Sequence, residues 1–70
     1  MTRTAATATL TATNGIATLT LSTGQTFTTS ERDGWIKRLD RKTQAAGWAR
    51  ISGYSLQDGA LVAEMVTYSA

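Results

Sequence analysis

Carboxylates are the main groups in this chain that could perform acid–base chemistry, because the sequence contains no histidine and no cysteine. The five of them are Glu31, Asp33, Asp40, Asp58 and Glu64. Without imidazole and thiol groups, Cys/His zinc sites, thiol nucleophiles and His-based catalysis are excluded. The serines and lysines lie in no nucleophile-elbow or phosphate-loop pattern. Helix-start and turn positions account for most of the acids. The pattern predicts a protein that is not an enzyme and that holds no metal and no cofactor.

Basic side chains form the second group that could carry chemistry, and four of the seven fall on one side of a predicted helix. They are Lys37, Arg38, Arg41 and Lys42. A basic helix face can bind phosphate groups of nucleic acids. An ordinary solvated face explains it more simply, with Asp33 and Lys37 as an i,i+4 pair. Because the net charge is only +2, nucleic-acid binding remains the alternative hypothesis.

The length of 70 residues indicates one domain over residues 1–70. A hydrophobic fraction of 41% with 17% charged residues is typical of a globular chain. No apolar run approaches the roughly 20 residues of a membrane span, and no secretory signal is present. We therefore expect a cytoplasmic protein without a membrane partner. Without a disulfide, a metal or oligomerisation, a core of this size supplies only about 3–5 kcal/mol of folding stability. The sequence has no cysteine, which favours a homodimer.

Strict alternation of apolar and threonine residues predicts a first hairpin over residues 6–22, after a disordered segment 1–5. Asn14-Gly15 is a strong signal for a two-residue turn. That turn pairs Thr13 with Ile16, so that Leu10 meets Leu19 and Ala8 meets Leu21. Threonines then line the opposite face. Such a ladder could order water or bind ice, but the high β-propensity of threonine is the simpler explanation.

The middle of the chain predicts a helix over residues 30–46, with Ser30 as its N-cap and Gly47 as its left-handed end. Residues 26–28 form either a short third strand or an extended lead into that helix. At about 100° per residue, one face of the helix is apolar. The residues on this face are Trp35, Ile36, Leu39, Thr43 and Ala46.

A second hairpin is predicted over residues 48–69, around the turn Gln57-Asp58-Gly59, with two possible registers. A bulged turn pairs Leu56 with Ala60, whereas a two-residue turn pairs Gln57 with Ala60. We prefer the bulged register because it collects small and apolar residues on one face and leaves charged residues together on the other. The first group is Ala49, Ile51, Gly53, Leu61, Ala63 and Met65, and the second is Arg50 and Glu64.

These elements predict a small α+β domain of order β-β-α-β-β, with an antiparallel sheet and one helix packed on one face. In the preferred register, the open face carries Trp48, Arg50, Tyr54, Val62, Val66 and Tyr68. Aromatic residues with a few charges are typical of protein interfaces. The same residues could instead stack bases or stabilise a half-wet sheet.

The hypothesis that follows is a non-enzymatic protein-interaction module. It would bind a protein partner through the open face and inhibit or adapt it. A role as an accessory protein of a phage or mobile element would suit so small a chain. The identity of the partner is left open.

Overall fold

One antiparallel sheet organises the chain in the computed structural model, which describes residues 2–69. Its strands are β1 (Thr2–Thr13), β2 (Ile16–Leu21), β3 (Thr26–Ser30), β4 (Trp48–Arg50), β5 (Ser55–Gln57) and β6 (Ala60–Ser69). The helix is α1 (Trp35–Ala45). The strand order is β3-β2-β1-β6-β4, and β5 also pairs with β6. The α+β class is confirmed, while the described residues contain two more strands than the predicted β-β-α-β-β order.

The first hairpin has the predicted register. Thr13 lies opposite Ile16, and the pairs continue to Ala8 opposite Leu21. Asn14 and Gly15 both have positive φ, at 55° and 76°, as a type I′ turn requires. The apolar members of this alternation are buried except Ala12, and most of the threonines are exposed.

The start of β1 differs from the prediction of a disordered segment 1–5, since the strand begins at Thr2. Residues 2–5 pair with the end of β6, from Thr2 opposite Ser69 to Ala5 opposite Val66. This long-range pairing supplies the ladder hydrogen bonds that a local reading of these residues does not reveal. Met1, which the prediction also covered, lies outside the described residues.

Residues 26–30 form a third strand, which resolves the alternative left open by the sequence. Phe27 lies opposite Leu19 of β2 and packs against the buried core. The strand therefore adds an aromatic side chain to the inner face of the sheet, the face that α1 covers.

The helix begins at Trp35 and not at residue 30, so the prediction of Ser30 as its N-cap is wrong. Ser30 is the last residue of β3 and pairs with Ile16, and the next amide, that of Glu31, donates to the Gly15 carbonyl. Ladder pairing thus holds this segment extended. The N-cap is Gly34, in a left-handed conformation with φ 74° and no side-chain cap bond.

The second hairpin has the register that was not preferred, so the predicted bulged turn is wrong. Gln57 pairs with Ala60, and the two-residue turn between them has positive φ at Asp58 (51°) and Gly59 (82°). An Asp-Gly pair adopts this conformation readily, because aspartate tolerates and glycine favours positive φ.

A bulge separates β5 from β4 along the same side of β6. Ser55 lies opposite Val62 and Arg50 opposite Met65, so the four residues 51–54 span only residues 63–64. The Ile51 amide donates to the Glu64 carbonyl at 2.9 Å. The Glu64 amide donates to Ser52 Oγ at 3.1 Å. A serine hydroxyl therefore replaces one of the ladder acceptors lost at the bulge.

The core lies between the sheet and α1. Its buried cluster consists of Ala6, Ala8, Leu10, Ala17, Leu19, Leu21, Leu39, Trp48 and Met65. On the predicted apolar face of the helix, Leu39 and Thr43 are buried, Trp35 and Ile36 are half-buried, and Ala46 is exposed. Thr43 satisfies its buried hydroxyl by donating to the Asp40 carbonyl at 2.8 Å.

Candidate functional site

The six residues predicted to share one open face lie on two sides of the sheet. Trp48 and Arg50 lie opposite Thr67 and Met65, which places them on the inner side with the core. Tyr54 also packs against that core. Val62, Val66 and Tyr68 lie on the outer face, which is the face opposite α1. The cause is the register, since a slip of one residue turns every side chain of a strand to the other face.

Trp48 is a core residue rather than an exposed one. It retains only 5% of its surface exposed, and its indole Nε1 donates to Gln25 Oε1 at 2.7 Å. A buried tryptophan ordinarily finds such a partner for its N–H. The bond joins β4 to the turn between β2 and β3, so Trp48 fastens two distant parts of the chain.

Arg50 and Tyr54 belong to a cluster that joins the second hairpin to α1. The Arg50 guanidinium Nη2 lies 3.2 Å from Asp40 Oδ2, and its Cζ lies 4.8 Å from the centroid of the Tyr54 ring. The Tyr54 hydroxyl lies 3.4 Å from Asp40 Oδ1. This ion pair is partly exposed, and such pairs contribute only about 0–1 kcal/mol. The cluster holds β4 against the helix and leaves neither side chain on the outer face.

The titration of Tyr54 tests this cluster. Burial of the phenol raises the pKa of Tyr54 above 10.0, and the Asp40 carboxylate adds to the rise while Arg50 opposes it. The folded state therefore binds this proton more strongly than the unfolded chain. Its contribution to stability is present below about pH 10 and is lost as the pH rises through the folded pKa.

We expect the free energy of unfolding to fall above about pH 10, and to fall less steeply in Tyr54→Phe. Urea unfolding at a series of alkaline pH values measures both slopes. In Asp40→Asn, which removes one of the causes of the shift, the slope should be intermediate. Identical slopes in Tyr54→Phe and the parent would contradict the buried phenol.

The four basic residues of the helix do not form one free face. The Lys42 Nζ donates to the Thr28 carbonyl, and Arg38 Nη2 donates to the Ser30 carbonyl at 3.1 Å. Both carbonyls point outward from β3, because alternate residues of that strand bond to β2. Two of the four cations thus cover the outer edge of the sheet, although Lys42 itself is exposed. Lys37 and Arg41 are exposed and donate no side-chain hydrogen bond within residues 2–69.

Threonines form a lattice on the outer face that is wider than the predicted two-strand ladder. One row across the sheet joins Thr26, Thr20 and Thr9, and a second joins Thr28, Thr18 and Thr11. Neighbouring members of a row lie on strands about 4.7–4.9 Å apart. β3 supplies the third column. The lattice contains no charged side chain, and threonine pairs of this kind stabilise sheets.

A shallow pocket of about 240 Å³ opens at the β1–β6 end of the molecule. We call it the outer pocket, and its lining consists of Arg3, Ala5, Ala6, Thr7, Ser22, Ile51, Glu64 and Met65. Ile51 is 49% exposed and the neighbouring Tyr68, which lies opposite Arg3, is 58% exposed. Val66 is only 4% exposed, although its register places it on the outer face, and Val62 is half-buried.

Two side chains of the outer pocket carry opposite charges without being paired. Within residues 2–69, the one ion pair is that of Arg50 with Asp40, so Arg3 and Glu64 have no charged partner there. The described residues contain no cluster of acidic side chains that could hold a metal ion. The lining of the pocket combines these two charged side chains with apolar ones such as Ile51 and Met65.

Sequence reasoning missed Arg3 and Ala5 and placed Ile51 on the covered face. The first two join the site only through the pairing of β1 with β6, across more than sixty residues of chain. Ile51 reaches it because it continues the alternation of β4, in which Ala49 lies opposite Val66 on the outer face. The one signal in the sequence was the Asp-Gly pair, which favours the observed register of the second hairpin.

An unpaired strand edge borders the outer pocket. β2 ends at Leu21, and the Ser22 amide donates to the Thr7 carbonyl at 2.9 Å while the Thr7 amide donates to Ser22 Oγ at 3.1 Å. Beyond this point β1 continues toward Thr2 with only β6 beside it. The backbone groups of Arg3 and Ala5 point to the same side as those of Thr7. Within the described chain, no strand meets them.

No helix among residues 2–69 combines the length and apolar character needed to cross a membrane. No family model, curated protein or solved structure matches this chain.

Proposed function

We propose that this chain is a non-enzymatic protein-interaction module that binds a protein partner through the β1–β6 end of its outer face. The observation that carries the proposal is the exposure of Tyr68 and Ile51 beside the outer pocket. An aromatic and an aliphatic side chain at the rim of a small concave site, with Arg3 next to them, have the composition of an interface centre. Of the six residues predicted to form the open face, Val62 and Tyr68 lie on the outer face and are not buried.

The size of the outer pocket favours a protein partner over a small molecule. Small-molecule sites commonly have volumes of about 300–1,000 Å³ and enclose most of the ligand. The pocket here has about 240 Å³ and lies open beside a strand edge. It can accommodate one side chain of a partner while the rest of that partner lies along the surface.

Selection from a phage-displayed library of random linear peptides tests this function. We expect enriched peptides to lose at least about 30-fold in affinity for the double variant Ile51→Ser/Tyr68→Ser, because a residue at an interface centre contributes roughly 2 kcal/mol. Leu56→Ser is the matched control. Leu56 is more exposed, at 73%, but lies opposite Leu61 at the other end of β6.

The parent, the double variant and the control are expected to unfold at similar urea concentrations, since all three positions are exposed. Failure of the selection to enrich any peptide would contradict the proposal. Equal peptide affinity in the parent and in the double variant would contradict it as well.

A further inference from the structure

Two stretches of unpaired strand edge on the same side of the sheet, the outer edge of β3 and the start of β1 beyond the end of β2, are treated differently. The outer edge of β3 is covered, since Lys42 and Arg38 of α1 donate to the outward carbonyls of Thr28 and Ser30. The corresponding edge of β1, from Thr2 to Ala6, has no such cover within residues 2–69. Strand edges with free N–H and C=O groups bind further strands, and proteins ordinarily block the ones they do not use.

We propose that the free edge of β1 binds the same edge of a second copy of this chain, so that two sheets join into one across a two-fold axis. This inference rests on the proposed function and names its partner. The two β1 strands run antiparallel to each other, as a two-fold axis between two identical strand edges requires.

Two features of β1 select one register for this pairing. Thr7 is already bonded to Ser22, so an incoming strand cannot extend past Ala6. Pairing Arg3 with Arg3 of the second copy would place like charges opposite each other, which destabilises a strand pair. The remaining register with the longest overlap places Arg3 opposite Ala5 of the second copy, and Thr4 opposite Thr4.

In this register Arg3 and Ala5, whose backbone N–H and C=O groups point away from β6, meet in hydrogen-bonded pairs. Each Arg3–Ala5 pair exchanges two backbone bonds, and symmetry makes two such pairs, so about four bonds form. They use amide and carbonyl groups of Arg3 and Ala5 that have no strand partner within residues 2–69.

The outer pocket supplies charge complementarity to the same pairing. The arginine of the second copy lies beside Ala5, whose methyl group leaves room for a long side chain. Ala5, Thr7 and Glu64 all line the pocket, and Glu64 has no ion partner within residues 2–69. The incoming guanidinium can therefore extend over Ala5 toward the Glu64 carboxylate, and this contact occurs twice in the dimer.

The pairing is short, which predicts a concentration-dependent dimer. Five paired residues on each strand form a smaller contact than the standard interface of about 1,600 Å². Association also stabilises the fold, because the core of so small a chain supplies little stability by itself.

Charge substitution at Ala5 tests the register. Ala5→Glu places a carboxylate opposite Arg3 of the second copy, and Ala5→Lys places a like charge there. We expect the dimer dissociation constant, measured by sedimentation equilibrium over a concentration series, to be several-fold lower for Ala5→Glu and several-fold higher for Ala5→Lys. In each case the dimer gains two weak, exposed charge pairs or two repulsions, and together these change the dissociation constant by at most about 30-fold. High salt should reduce both differences.

Two further variants complete the experiment. Thr20→Lys adds the same charge to the outer face away from the edge and should leave the dimer unchanged. Ala5→Pro removes an amide that points outward at an edge, where proline is tolerated, and should abolish the dimer. The urea midpoint of each variant, measured at a concentration where the chain is monomeric, shows that the fold is kept.

A parent and Ala5→Glu that stay monomeric at every concentration would overturn the inference, as would a dimer that survives Ala5→Pro. The same holds if Ala5→Glu and Ala5→Lys shift the dimer in the same direction. The proposed function fails differently. If peptides still bind at Ile51 and Tyr68 while the chain stays monomeric, only the second-copy inference is lost.

Discussion

Replacing Trp48 with alanine is expected to leave most of the chain unfolded at room temperature. Trp48 is 5% exposed and belongs to the core cluster, and removal of so large a buried side chain costs about 3–5 kcal/mol. The Gln25 side chain loses its indole partner at the same time. Domains of this size have only about 3–5 kcal/mol of core stability in total. Urea unfolding followed by circular dichroism measures the loss.

The matched control for Trp48→Ala is Tyr68→Ala, in an aromatic residue that is 58% exposed. It should lower the free energy of unfolding by about 1 kcal/mol or less, as for exposed sheet positions. A Trp48→Ala protein that unfolds at the parent urea concentration would contradict the core position of Trp48 and return it to the outer face.

Replacing Arg38 with methionine is expected to destabilise the fold by about 2–3 kcal/mol and to promote self-association. The guanidinium donates to the carbonyls of Asp33 (2.9 Å) and Ser30 (3.1 Å) and contacts Thr29 Oγ1 at 3.4 Å. A hydrogen bond to a charged group contributes about 1.5–3 kcal/mol, and most of the loss is assigned to the partly buried bond to Ser30, because the bond to Asp33 is exposed. Methionine keeps the helix propensity and the apolar stem. Urea unfolding and light scattering measure the two effects.

Lys37→Met is the control for this variant, because Lys37 is exposed and donates no side-chain hydrogen bond within the described residues. It should change neither the urea midpoint nor the molar mass. Equal effects of the two substitutions would show that loss of positive charge, rather than an uncovered β3 edge, causes them. That result would contradict the role assigned to Arg38.

The first hairpin shows how much of this fold is determined by residues close together in the sequence. Alternation over residues 6–22 and the Asn14-Gly15 turn both predict the same register, and every predicted pair is present. The left-handed glycine at position 47, with φ 92°, is likewise confirmed. Such features depend on neighbouring residues alone, so nothing elsewhere in the chain alters them.

The second hairpin shows where local reasoning failed. Each register agrees with one pattern in the sequence. The bulged register groups the apolar residues on one face, whereas Asp58-Gly59 favours a two-residue turn. The structure follows the turn preference. The bulge at 51–54 then shifts the register by two residues, which keeps each side chain of β4 on the face set by the two-residue turn. Because each slip of one residue reverses a face, Trp48, Arg50 and Tyr54 came to lie with the core. Val62, Val66 and Tyr68 remained on the outer face.

The amino-acid sequence by itself determined the class of the fold, the first hairpin and the absence of histidine and cysteine chemistry, because these depend on composition and on residues close in the chain. The start of α1, the engagement of Arg38 and Lys42 with β3 and the outer pocket were decided only by tertiary structure. Each depends on pairings between distant strands, from Ile16 with Ser30 to Arg3 with Tyr68. Those pairings supply hydrogen-bond partners that no local pattern specifies.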